Sequence, residues 1–262
     1  MVPTGGSDPF SVTGRRIVIV GGTAGIGLAV AAHLAEAGAV VTITGRRVEG
    51  EGIAAGIGAS FVAMDVADDA SVVEGFAEIT RAADHIDCLV LNAGVDLVYG
   101  EIDALDLDTF RTVLDVNTMG LVRAMAAGVG AIGPGGSVVV TSSPAGSIAA
   151  PGMAAYAASK AALDSLVRTW ALELGPKSIR VNAVLPGIVE SELEGSTGEL
   201  EVIRRMTANG VIRKAIEMGP VFQFLASDAS APLTGSLVGA HDGISVGYSH
   251  EVFRHLSADL DE

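Results

Sequence analysis

The stretch Arg16-Ile17-Val18-Ile19-Val20-Gly21-Gly22-Thr23-Ala24-Gly25-Ile26-Gly27 leads straight into the Ala-rich segment Leu28–Ala37. A run of β-branched residues predicts a strand, and the segment after the glycines has the length and small side chains of a helix lying on a sheet. Glycine allows a tight turn and lets backbone N–H groups approach a ligand with no Cβ in the way. A strand, such a turn and a helix, in that order, set unpaired N–H groups at the positive end of a helix dipole, where a pyrophosphate can bind. A plain strand-to-helix turn would also be glycine-rich; the spacing G-x-x-x-G-x-G, carried by Gly21, Gly25 and Gly27, narrows the field.

The same alternation recurs along the chain. β-Branched runs at Arg16–Val20, Val40–Thr44, Ser60–Met64, Cys88–Leu91, Ser137–Thr141, Arg180–Leu185 and Ser236–Gly239 are separated by helical segments over 25–37, 70–82, 106–127, 154–174 and 215–227, with an insertion around 191–212. This order predicts an α/β fold: a Rossmann-like, doubly wound, seven-stranded parallel sheet with helices on both faces. Ligands of such sheets lie at the carboxyl ends of the strands, where strand order reverses. No Pro/Ser-rich or charge-rich linker interrupts the 262 residues, so one domain is expected over 13–247, between an N-terminal tail (1–12) and a C-terminal tail (248–262).

Composition excludes several classes. Hydrophobic residues make up 49% of the chain and aromatic residues only 4%, so the core must be built from Ala, Val, Leu and Ile. The net charge of -15 would repel a phosphate backbone, and no Lys/Arg stripe interrupts it, so nucleic acid is not an expected partner. Cys88 is the single cysteine and cannot form an intramolecular disulfide; it reads as a buried thiol. The five histidines are scattered without ligand spacing, so no metal site is expected. No segment has the roughly 20 apolar residues of a membrane span or the pattern of a signal peptide, and the expected location is cytoplasmic.

The glycine spacing resembles the cofactor fingerprint T-G-x-x-x-G-x-G of the short-chain dehydrogenase/reductase family, with Val20 where the family usually has threonine. The second strand ends in Thr44-Gly45-Arg46-Arg47, where an NAD site would place an acid on the ribose 2′-hydroxyl. Gly45 cannot make that contact, whereas Arg46, helped by Arg47, can grip a 2′-phosphate through paired charge-assisted hydrogen bonds. NADP(H) is therefore favoured over NAD(H). The alternative is a solvated arginine pair balancing Glu49 and Glu51. By resemblance, Thr23, Ala24 and Ile26 join the glycines around the phosphates, Asp65 and Val66 flank the adenine, and Asn92, Ala93 and Gly94 border its ribose. Pro186, Gly187, Ile188 and Ser191, the last replacing a threonine, would lie along the nicotinamide.

Tyr156 and Lys160 are four residues apart in a predicted helix, so they emerge as neighbours on one face. Free tyrosine has a pKa of about 10; a nearby ammonium is expected to lower it, and about three units would represent roughly 4 kcal/mol. A Y-x-x-x-K pair alone is a common accident on helices. Ser143 lies thirteen positions upstream of Tyr156, which matches the family spacing between its serine and tyrosine, although Ser142 and Ser147 are rivals. Asn117, in Asp115-Val116-Asn117-Thr118-Met119-Gly120, resembles the family's N-x-x-G asparagine, which helps hold a water linking the lysine to solvent; backbone contacts within a helix would serve it equally. The resemblance thus implies hydride transfer between NADP(H) and a ketone or aldehyde, with Tyr156 exchanging the proton, Ser143 holding the carbonyl, and Lys160 tuning Tyr156 and holding the nicotinamide ribose.

Segment 192–219 corresponds to the family's variable substrate lid and is rich in charge. The pocket wall is expected from Val95–Gly100, Pro144–Met153 and the lid, with Val95, Met153 and Leu193 as contacts, which points to an uncharged or bulky carbonyl or alcohol. Two family passages are degraded, at Val211–Pro220 and at Asp242-Gly243-Ile244. By resemblance the helices around 106–127 and 154–174 pair across a dimer axis and a second interface completes a homotetramer, although their Ala-rich faces would also suit packing within one chain. Two rivals remain: an NAD-linked alcohol dehydrogenase using the same residues, and a non-catalytic cofactor binder, against which the set Asn117, Ser143, Tyr156 and Lys160 argues because a pure binder has no need for a tyrosine–lysine pair.

Overall fold

Residues with branched apolar side chains on both faces of a strand can only lie between two covering layers. Ile17, Val18, Ile19 and Val20 are accordingly no more than 3% exposed. The computed structural model describes residues 8–96, 100–190 and 197–258. Strands β1 (Arg16–Val20), β2 (Val40–Gly45), β3 (Ser60–Ala63), β4 (Ile86–Leu91), β5 (Ile132–Thr141) and β6 (Arg180–Pro186) form one sheet with a late strand, β9 (Leu237–Ala240). Every pairing in it is parallel, and the order is β3-β2-β1-β4-β5-β6-β9. Two short strands, β7 (Val189–Glu190) and β8 (Arg213–Lys214), pair separately. The fold is a single Rossmann-like domain, as the sequence predicts.

Helices cover both faces. On one side α3 (Asp69–Ala82), α5 (Gly120–Gly128) and α6 (Ala154–Leu174) press Phe76, Leu121, Leu163 and Val167 onto the sheet. On the other, α1 (Gly25–Glu36), α2 (Gly50–Gly56) and α8 (Gly219–Ala226) contribute Val30, Leu34, Ala54, Phe222 and Leu225. Each fully buried Leu, Ile or Phe contributes about 1.5–3 kcal/mol of transfer free energy. Cys88 is buried within the second layer, and desolvation pushes its thiol up to about 11. It is an inert packing residue, as expected.

Several elements differ from the sequence expectation. Helix 106–127 is two helices, α4 (Leu107–Leu114) and α5, joined by a wide π-turn over Asp115–Met119. Segment 215–227 begins as a 3₁₀ turn, Ala215–Met218, before Pro220 opens α8. Helix α2 carries three glycines in seven residues and gives no helical signal, yet Gly50 lies flat on the Phe61 ring, where a Cβ would fall 2.2 Å from Cζ. The C-terminal tail is helical as α9 (His250–Ala258); Ser249 Oγ donates to the Arg205 carbonyl, and Arg205 pairs with Glu251 at 3.3 Å, tying it to α7 (Thr197–Met206).

The sheet order reverses between β1 and β4. The loops after these two strands, after β2 and after β5 therefore converge on one edge.

Candidate active site

At that edge lies an open cleft of about 1380 Å³. Its floor begins at the β1–α1 turn. Gly27 packs so closely that a Cβ there would sit 2.1 Å from the Gly21 carbonyl, whereas Gly25, at φ +53°, faces open space. Ala24 caps α1 with no side-chain hydrogen bond, and the first turn holds no acid. The N–H groups at this helix end are thus available to an anion, so the turn fits the pyrophosphate of a dinucleotide. Asn92 Nδ2 donates to the Gly21 carbonyl at 2.8 Å, bracing the turn from the end of β4.

Gly45 closes the ribose end. A Cβ there would fall 2.6 Å from Thr23 Oγ1, so the room an acidic side chain would need is already filled. Arg46 and Arg47 line the cleft beyond it. Arg46 Nη1 lies 3.8 Å from Asp65 Oδ2, and its side chain remains 64% exposed. Among the described residues this pairing, not one to Glu49 or Glu51, balances Arg46: the parallel pairing of β3 with β2 brings Asp65 beside it, a proximity that spacing along the chain cannot show. Val66, beside it, packs against Gly120, where a Cβ would come within 2.8 Å.

The opposite end collects the expected polar groups. Ser142 and Ser143 follow β5, and their side chains diverge. Ser142 turns inward to donate to Asp164 Oδ1 on α6 at 2.6 Å, while the Ser143 hydroxyl accepts from the Ala145 N–H at 3.2 Å and acts on the Tyr156 phenol, lowering its pKa. Of the two, Ser142 is engaged by Asp164, which leaves Ser143 as the candidate beside Tyr156; Ser147 Oγ donates to the Pro144 carbonyl at 3.0 Å. Lys160 Nζ donates to the Thr141 carbonyl at 3.0 Å and sits 5.5 Å from the Tyr156 ring centroid. Thr141 Oγ1 in turn donates to Asn92 Oδ1 at 2.9 Å. One chain of contacts thus joins the phosphate turn to the lysine.

The expected lowering of the tyrosine pKa is not what this arrangement produces. Burial pushes the Tyr156 phenol above its ordinary value, the Ser143 hydroxyl opposes that, and Asp96 adds to it. Lys160 is directed at Thr141, and burial brings its own pKa down to about 8 against the pull of Asp164 and Asp96.

Asn117 is fully buried in the π-turn. Its Oδ1 accepts from the Val95 amide at 2.7 Å, and its Nδ2 donates to the Val95 carbonyl at 2.9 Å and to Ser159 Oγ at 3.2 Å. The side chain therefore clamps the loop after Gly94 against α6. The sequence alone does not disclose this role, nor those of Thr141, Ser159 and Asp164, because all four act through contacts between elements far apart in the chain.

Pro186, Gly187, Ile188, Ala93, Gly94, Val95 and Met153 all line the cleft, joined by Asp96, Val202 and Met206. Ser191 and Leu193 lie outside the described residues. Arg213, within the degraded passage, holds Asp242 at 2.8 Å and Glu217 at 3.1 Å, linking β8 to the turn after β9. Among the described residues no group of three or more His, Cys, Asp or Glu could hold a metal ion, and no helix is long and apolar enough to cross a membrane.

Known proteins resemble this chain in both sequence and fold. The family described as Enoyl-(Acyl carrier protein) reductase matches residues 21–245. Short-chain dehydrogenase reductase 5 of Arabidopsis thaliana is 35% identical over 246 residues, covering 89% of this chain and 95% of its own. The 3-oxoacyl-[acyl-carrier-protein] reductase of Thermotoga maritima is 32% identical, covering 89% and 98%. Among solved structures, a short-chain type dehydrogenase/reductase from Mycobacterium marinum superimposes with a TM-score of 0.85 at 30% identity, covering 92% of this chain and 99% of its own. The Pseudomonas aeruginosa RhlG/NADP active-site complex gives 0.86 at 26% identity, covering 91% and 100%. With the glycine turn, the Ser143–Tyr156–Lys160 grouping and these relatives in agreement, the chain belongs to the short-chain dehydrogenase/reductase family.

Proposed function

We propose that this chain is an NADP(H)-dependent oxidoreductase that reduces a ketone or aldehyde to an alcohol, reversibly. The observation that carries this reading is the placement of Ser143, Tyr156 and Lys160 around one end of a cleft whose other end holds Gly25 and Arg46. Family membership supports chemistry at a CH–OH/C=O centre. The preference for the phosphorylated cofactor rests on Gly45, Thr23 and Arg46, and the relative solved with NADP supports it.

When bound, NADPH supplies the hydride. The phosphates would be held by the turn from Gly21 to Gly27, the 2′-phosphate by Arg46 and Arg47, the adenine by Asp65 and Val66, and the nicotinamide by the Pro186–Ile188 segment. Tyr156 Oη then donates a proton to the carbonyl oxygen, and Ser143 Oγ holds that oxygen in place. A phenol whose pKa is raised by burial is protonated at neutral pH, which suits an acid in the reductive direction. Lys160, held by Thr141, keeps a polar hydrogen-bond donor beside the phenol and would reach the nicotinamide ribose. The lid role expected for segment 192–219, of which 192–196 lie outside the described residues, and the homotetramer and cytoplasmic location expected from the resemblance belong to the same proposal. Leu172 on α6 and Met119 beside α5 are exposed apolar groups that a subunit contact would cover.

The test is NADPH oxidation against a panel of ketones and aldehydes, with Tyr156→Phe as the control. The variant is expected to lose at least a hundredfold in kcat while still binding NADPH by fluorescence titration. A good substrate turned over by Tyr156→Phe at the wild-type rate would overturn the mechanism, and turnover with NADH alone would favour the NAD-linked dehydrogenase.

A further inference from the structure

Helix α5 meets the Asp65–Val66 side of the cleft at two residues one turn apart. At Gly120 a Cβ would fall 2.8 Å from Val66 Cγ2 and 3.1 Å from the Val66 carbonyl oxygen, so the helix lies directly against this residue. Three positions on, and so on the same face, Arg123 spreads its guanidinium over three neighbours. Nη1 donates to the Val66 carbonyl at 3.3 Å and to the Asp115 carbonyl at 3.4 Å. Nη2 donates to Asp115 Oδ1 at 2.8 Å, and Nε donates to Asp69 Oδ1 on α3.

These contacts join two pieces of the site that the chain supplies separately. The first is the loop after β3, which lines the cleft with Asp65 and Val66. It is braced as a unit: Asp65 Oδ1 accepts from the Ala67 N–H at 3.0 Å, the Asp65 N–H donates to Ser71 Oγ at 2.9 Å, and Asp68 caps α3. The second is the π-turn, which opens at Asp115 and carries Asn117, the clamp on Val95. A planar guanidinium with donors in fixed directions can hold both pieces at once, whereas a lysine ammonium on a flexible stem has no such fork.

We infer that Arg123 is a positioning residue: by holding the Val66 carbonyl and the π-turn on one guanidinium, it sets the adenine wall of the cofactor cleft against the turn that aims Asn117. This rests on the cofactor reading above and not on which carbonyl compound is reduced. A binding wall must be held to within about 0.5 Å to keep its contacts, so freeing it costs affinity at the adenine end, and freeing the turn loosens Val95.

Arg123→Met keeps most of the apolar stem and removes the fork. NADPH, NADH and adenosine 2′,5′-bisphosphate are titrated onto the full chain by calorimetry. All three are expected to lose about fivefold in affinity, and the preference for NADPH over NADH should stay unchanged because Arg46 is untouched. Arg123→Lys should bind as weakly as Arg123→Met; full rescue by lysine would show that charge near the phosphates, not positioning, is the role, and would overturn the inference. Hydrogen exchange needs no ligand. The Val95 amide should exchange about tenfold faster in Arg123→Met after the change at the β1 amides is divided out, which a general loss of stability would not produce.

Unchanged nucleotide affinity together with Val95 exchange that merely follows β1 overturns the inference. If both effects appear while no carbonyl compound is reduced, the reductase reading falls alone. A wild-type chain that binds no adenine nucleotide fails the cofactor reading and takes the inference with it. Should Arg123→Met not fold, Asp115→Asn keeps the side-chain shape and weakens the 2.8 Å bond; it is expected to show both changes in smaller measure, and their absence overturns the inference.

Discussion

Replacing Arg46 by alanine tests cofactor choice with little risk to the fold. The Arg46 side chain is 64% exposed, and its partner Asp65, 3.8 Å away, is 37% exposed. A pair so open to solvent contributes about 0–1 kcal/mol, so Arg46→Ala should move Tm by no more than about 2–4 °C. Its contact with a 2′-phosphate would be worth more. Hydrogen bonds to charged groups contribute about 1.5–3 kcal/mol, and the lower end applies at this exposure, which corresponds to roughly tenfold in affinity. NADH has no phosphate there, so the loss should fall on NADPH alone. The ratio of kcat/KM for NADPH to that for NADH should therefore drop about tenfold, almost wholly through KM for NADPH. Gly45→Asp by itself should not create an NAD site, because its Cβ would meet Thr23 Oγ1 at 2.6 Å; Thr23→Ala is needed alongside it. An Arg46→Ala enzyme with an unchanged cofactor ratio would refute the assignment of Arg46 and leave its ion pair with Asp65 as its whole role.

Two further outcomes follow from the polar groups around α6. Ser143→Ala should lower kcat by at least tenfold with little change in stability, whereas Ser142→Ala should retain most of its turnover but lose stability, by about 1–3 kcal/mol in urea unfolding, because it leaves the buried Asp164 carboxylate without its 2.6 Å donor; the reverse pattern would reassign the active serine. Burial depresses Lys160 to about 8 from its ordinary 10.5, so the folded state holds fewer protons than the unfolded state between those values. Folding is disfavoured by this group below pH 8, and the penalty is relieved as pH rises toward 10.5, a change on the order of 3 kcal/mol. Measured against a Lys160→Met variant, wild-type stability should improve by about that amount between pH 7 and pH 10.5; a flat difference would show that the ammonium is better solvated than its burial implies.

The sheet and the site were legible in the sequence to different depths, for a physical reason. The central strands, buried on both faces, are rich in Val, Ile and Leu, and the alternation of such runs with helical segments let all seven be placed; a Gly-rich turn between strand and helix has few other uses. Residues four apart on one helix are neighbours wherever the helix lies, which is why Tyr156 and Lys160 could be paired. The rest depends on which elements meet. Helix α2 escapes notice because three glycines mask it, one of which, Gly50, makes room for a ring on β3, and the π-turn escapes because its extra residue per turn leaves no compositional mark. The clearest case is Asn117. Its sequence context is compatible with an ordinary helical asparagine, yet its amide fixes Val95 at both backbone atoms and so decides where Asp96 enters the cleft. The residues that perform chemistry could be read one at a time; the residues that aim them could be read only once the β4 loop and α6 had been brought to either side of the same amide.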